Sequence, residues 1–143
     1  MAAEDNKAVM RQVYEDVFNR GNVDAADELL APDVVDHSFG NQGLESVKRF
    51  FTALLEAFPD LYAEAHEMIG EGDLVATRLT FTGTHHGEFA GVPATGKYVS
   101  VPGVDFVRFA AGKGVEHWGG PDIASLLQQV GVLPEQGVGT PSR

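Results

Sequence analysis

Few side chains in this sequence are placed to move protons, and most of them lie in its last third. Asp105 and Asp122 fall in or beside strand-like segments. Two carboxylates held close on neighbouring strands would share a proton, raising the pKa of one of them, which suits acid/base work. Asp105 fits a solvated edge position as well, and Pro121-Asp122-Ile123 is also how a surface Asp caps a closing helix. His37, in Val-Val-Asp-His, could orient a carbonyl or shuttle a proton, or else be satisfied by backbone at a strand end. Trp118 shares strand parity with Glu116 and Asp122. Inside a concave pocket it would form a flat wall for a polycyclic ligand, although core packing explains it equally. His117 has the opposite parity and is expected on the other face, towards a partner subunit.

Other chemistries find no support. The chain has no cysteine, so disulfides, thiolate metal sites and thiol nucleophiles are excluded. His85 and His86 are adjacent, so on a strand they face opposite sides and cannot share an ion; no metal and no cofactor is expected. The glycine-rich spots sit in hairpins rather than between a strand and a helix, so no phosphate cradle or dinucleotide fingerprint is present. A net charge of -11 repels nucleic acid and anionic lipid, leaving a small molecule as the expected partner. No basic leader precedes an apolar stretch at the start and no apolar run is long enough to span a bilayer, so a cytoplasmic location is expected.

The elements that must position these residues read as helices followed by strands. Asn6–Arg20 carries apolar residues at helical spacing (Val9, Met10, Val13, Tyr14, Val17, Phe18), with Asp5 or Asn6 as its cap. Residues 23–30 read as a second short helix, 34–37 as a brief strand and 44–58 as a third helix. The period then changes to two, giving strands over 61–69, 74–84, 98–109 and 115–117, with the long loop 85–97 between the middle pair. A closing helix over 123–130 and a Gly/Pro-rich tail complete the chain, so one domain over 1–131 and a tail over 132–143 are expected. Helices first and hairpin-linked strands second predict an α+β fold: a curved antiparallel sheet with about three N-terminal helices enclosing a pocket. The strands carry apolar residues on both parities, such as Leu79 and Phe81 against Val104 and Phe106. A sheet with one face in water should alternate more cleanly, and a homodimer through the convex face is expected.

Five pieces in order resemble the SnoaL-like polyketide cyclase and ester cyclase family of the nuclear transport factor 2-like superfamily. They are Asp36-His37; Phe58-Pro59-Asp60-Leu61; the run from Gly72-Asp73 through Gly83-Thr84-His85 to Gly96-Lys97; Gly112-Lys113; and Glu116-His117-Trp118 followed by Asp122. The resemblance spans roughly residues 6 to 131 and implies a cone-shaped α+β barrel. It also implies a cofactor-independent enzyme that closes a ring in a polyketide-like substrate by an aldol-type reaction. By that resemblance Asp122 is the general acid/base; strand pairing makes Asp105 its expected catalytic partner, and Trp118, His37, Tyr14 and Phe58 are the expected substrate-binding residues. On this fold Tyr14 could donate its hydroxyl to an enolate. Two departures matter: where many members carry a His three residues ahead of an Arg, this chain has Asp105 ahead of Arg108, and where they carry an apolar residue after Gly-Lys it has Gly114. Two further functions are compatible with the fold. One is epoxide opening by two Asp and an Arg, against which the opposite parity of Asp105 and Arg108 argues. The other is a non-catalytic small-molecule-binding dimer module.

Overall fold

A computed structural model describes residues 2–134. The first helix, α1 (Ala3–Gln12), runs on without a break as a π-helical segment, Val13–Asn19, whose wider turns present Tyr14, Val17 and Phe18 to the interior. Such segments are rare and tend to occur at functional sites. Asn19 pins its end to the sheet by donating to the Ala63 carbonyl and accepting from the Ala63 amide. The helix starts three residues before the expected Asn6, which is buried rather than a cap.

The second helix is shorter than the periodicity predicts. A 3₁₀ turn (Val23–Ala25) and α2 (Ala26–Leu29) give way at Leu30 to an extended strand, β1 (Leu30–Asp36), because Pro32 cannot continue a helix. A two-residue strand β2 (Asn41–Gln42) precedes α3 (Leu44–Ala57), which ends one residue before the expected Phe58. Four long strands follow: β3 (Tyr62–Glu71), β4 (Leu74–Thr84), β5 (Tyr98–Ala110) and β6 (Lys113–Pro121), and then α4 (Ile123–Gln129). Most of the expected tail lies outside the described residues.

The six strands form one curved, unclosed sheet in the order β2-β1-β6-β5-β4-β3, antiparallel except where β1 runs parallel to β6. The helices cover its concave face. Along β5 burial alternates strictly: Val99, Val101, Asp105, Val107 and Phe109 face the helices, while Tyr98, Val104 and Phe106 face out.

One irregularity decides which way β6 faces. Phe109 pairs with Gly114 but Arg108 pairs with Glu116, so Val115 is an extra residue, a β-bulge. Beyond it His117 lies opposite inward Val107, and Trp118 opposite outward Phe106. Without the bulge, Trp118 would oppose Asp105 and face in. Gly119 and Gly120 then carry positive φ values of 101° and 122°, which end the alternation before Asp122. A Cβ on Gly119 would lie 2.0 Å from the Val104 carbonyl oxygen, whereas one on Gly72 (φ 61°) would meet nothing within 4 Å. Gly119→Ala should therefore cost at least about 2 kcal/mol in chemical denaturation, and Gly72→Ala only about 1 kcal/mol. Equal losses for the two would show that the close approach at Gly119 is not a constraint.

Candidate active site

A chain of hydrogen bonds crosses the inner face from the first helix to β1. The Tyr14 hydroxyl donates to Asp105 Oδ2 at 2.7 Å, and His117 Nε2 donates to Asp105 Oδ1 at 2.7 Å. The other ring nitrogen, Nδ1, lies 3.0 Å from Asp36 Oδ1. Asp36 is fixed in turn by the Ser38 amide and the Asn41 side-chain amide. Each part has a local cause: the π-helical segment presents Tyr14, strict alternation on β5 presents Asp105, and the bulge turns His117 inward.

The electrostatics follow from these contacts. With a carboxylate at each ring nitrogen, both nitrogens are donors and the imidazole is a cation. Burial opposes the charge, but the bonds to Asp105 and Asp36 outweigh it and push the His117 pKa up to about 9. Burial likewise opposes ionisation of Asp36, yet the bonds from His117 and Asn41 hold its carboxyl below the usual range. Burial, followed by the neighbouring Asp105 charge, drives the Tyr14 phenol well up, so it stays protonated.

This chain forms the polar end of a cavity of about 760 Å³, counting its open mouth. Phe18, Phe50, Phe51, Phe81 and Phe109 make up much of the remaining wall. Asp36, Asp105, Glu116 and His117 are its titratable lining residues, with no lysine or arginine among them. The arrangement is an apolar chamber with two buried carboxylates, a part-buried cation between them and a phenol donor fixed to Asp105 at one end. It suits proton removal from, and return to, an uncharged substrate.

The residues expected at the site divide into two groups. Asp105 lines the cavity, and Tyr14 bonds to it from outside the lining. Asp122 does not join them: it is exposed and is absent from the cavity lining, and its side chain accepts from the Ser125 amide at 3.1 Å as the N-cap of α4. Trp118 packs edge-on against Phe106 on the outer face, and exposed His37 stacks on Trp118 at 4.9 Å while pairing with Glu116. Neither lines the cavity: the bulge reverses the parity expected for β6 and turns Trp118 outward, and His37 lies just beyond the end of β1. Phe58 is buried and stacks on His85, away from the polar end. Arg108 points outward to Asp73 and Glu116, so no cation joins the two Asp as epoxide opening requires.

His117 and Asp36 were not among the expected site residues. The available signal was Gly114, whose missing side chain leaves room for Leu30 beside the bulge: a Cβ there would sit 2.9 Å from Leu30 Cδ2. The geometry predicts that the His117 ring titrates with a midpoint near pH 9 in NMR. Because its folded pKa lies above the ordinary 6.5, the stability it contributes is complete below about pH 6.5 and is lost as pH rises through about 9. A midpoint at or below 6.5 would show a neutral ring and contradict the ion-pair geometry.

Comparison with known proteins agrees with this architecture. The family model for "SnoaL-like polyketide cyclase" matches residues 8–130. The aklanonic acid methyl ester cyclase DauD of Streptomyces sp. (strain C5) is 31% identical over 132 residues, covering 86% of this chain and 80% of that protein. Among solved structures, TsrD from Streptomyces laurentii superposes with a TM-score of 0.85 at 25% identity, over 93% of this chain and 99% of that one. IdmH from Streptomyces antibioticus, a proposed polyketide cyclase, gives 0.74 at 33% identity, over 89% and 99%. Its fold, its cavity and these matches agree: the chain belongs to the SnoaL-like polyketide cyclase family.

Proposed function

We propose that the protein is a cofactor-independent cyclase that closes a ring by an intramolecular aldol-type reaction, with Asp105 as its general base. The observation carrying this reading is the buried Asp105 carboxylate, 6% exposed, held between the Tyr14 hydroxyl and the His117 ring at the apolar cavity's polar end. Asp105 takes the proton from a carbon next to a carbonyl. The resulting enolate attacks a second carbonyl of the same molecule, and the alkoxide so formed takes the proton back from Asp105. While Asp105 is protonated, Asp36 and His117 remain as a neutral pair, so the chamber never holds two uncompensated carboxylates. The phenylalanine walls fold a flexible substrate into the reactive conformer and exclude water.

In this reading Asp105 takes the role that the family resemblance suggested for Asp122, since a carboxyl outside the cavity cannot reach the substrate. The outward Asp122 would equally suit a binding module, but an apolar binding pocket has no need of three buried ionisable groups. The curated relatives act, by their names, on aklanonic acid methyl ester, and that compound is the first to assay. Asp105→Asn should lower turnover by roughly 10²–10⁴, as loss of a general base does. Asp122→Asn should leave turnover nearly unchanged, because Asn caps a helix about as well as Asp. The reverse pattern would return the base to Asp122.

The reading includes a homodimer through the outer sheet face. There Ile69, Val104 and Phe106 are 70%, 55% and 39% exposed, and Phe106 continues into Trp118. The wild type should sediment as a dimer at micromolar concentration and Phe106→Glu as a monomer; a monomeric wild type would refute the dimer.

A further inference from the structure

A second, smaller cavity adjoins the first and shares Leu54, Phe81 and Pro121 with it. Its far walls are Phe58, Leu61, Val99, Val101 and Leu126, and of the remaining lining residues just Thr82 carries a side-chain polar atom. Two inward glycines shape it. A Cβ on Gly103 would lie 2.4 Å from Phe81 Cε2, so the Phe81 ring lies across β5 at the boundary of the two cavities because residue 103 has no side chain. A Cβ on Gly83 would lie 3.2 Å from Phe58 Cβ, and the Phe58 ring is held from another side by the stacked, buried His85 at 5.3 Å. Both rings bounding the small cavity are thus fixed by backbone and packing rather than free to fill it.

The geometry points to this annex as a subsite for an unbranched alkyl substituent carried by the substrate whose ring-closing end lies against Asp105. The inference rests on the reading that the larger cavity holds the substrate. A polar substituent would lose its water there without a partner, which disfavours hydroxyl, amide or carboxylate groups. An alkyl chain loses nothing of the kind and gains burial with each methylene. Phe81 then sets how much substituent passes, and Leu126, on α4 at the far wall, sets how long it is.

Titration calorimetry with benzene, ethylbenzene and n-butylbenzene tests the annex without any cyclase substrate. On the wild type, affinity should rise by roughly fourfold per added methylene until the annex is full. Leu126→Phe, which fills the far end, should abolish the rise while leaving benzene binding unchanged. Phe81→Leu, which widens the boundary, should admit the branched tert-butylbenzene that the wild type excludes; thermal melts of both variants establish that they fold. Failure of any alkylbenzene to bind, absence of the rise, or the same rise in Leu126→Phe would each overturn the subsite. Because no turnover is measured, such a failure leaves the assignment of Asp105 untouched, and an active Asp105→Asn would leave the annex untouched.

Discussion

The arrangement of the inner face depends on one part-buried imidazolium held between two buried carboxylates. A buried charge is tolerated only when it is paired and hydrogen-bonded, and removing one partner leaves the others uncompensated. His117 therefore ties β6 to β1 through Asp36 and to β5 through Asp105, and Tyr14 extends the tie to the first helix. Four segments distant in sequence are brought to one point by groups that each need the others. The aromatic lining around them lowers the local dielectric, which strengthens the pairing and raises the cost of disturbing it.

Much of the architecture was legible from residue spacing. Helical periodicity placed α3 to within a residue, and alternation placed β4 within its observed bounds, because burial of one face is what both patterns record. The inward direction of Asp105 and the outward direction of Arg108 also follow from alternation. The site as a whole did not follow, for two physical reasons. Parity along β6 is relative, and its absolute sense depends on a bulge that leaves no periodic trace in the residues from Gly114 to Trp118. Asp122 stands beyond Gly119 and Gly120, whose positive φ values take the chain out of the strand. A resemblance carried on residue order alone could not register either event.

The long connection between β4 and β5 illustrates a different limit. Its sequence marks it as irregular, yet His85 at its start is buried, and the His86 and Gly87 amides both donate to the Ala57 carbonyl at the end of α3. These donors satisfy a helix-terminal carbonyl that would otherwise be orphaned. Gly87 is required there because a Cβ would lie 2.4 Å from the Glu56 carbonyl oxygen. Glycines that permit close backbone contact look, in sequence, like glycines that permit a turn.

The bulge at Val115 has a consequence for how such a gene can change. Side-chain direction downstream of it is set by counting residues, much as a reading frame is set by counting bases. Loss of the single Val115 codon would remove the unpaired residue and leave His117 opposite Val107, whereas one inserted residue that paired with Arg108 would exchange the two faces of β6, carrying His117 to the outside and Trp118 into the chamber. No substitution within the cavity could restore the imidazole to its carboxylates. A compensating deletion before Gly119 would return only what lies beyond it. Drift by substitution is therefore open to this hairpin, and so is loss of the bulged residue, while growth in length is closed, and chains that differ by one residue at this tip should be compared face by face rather than column by column.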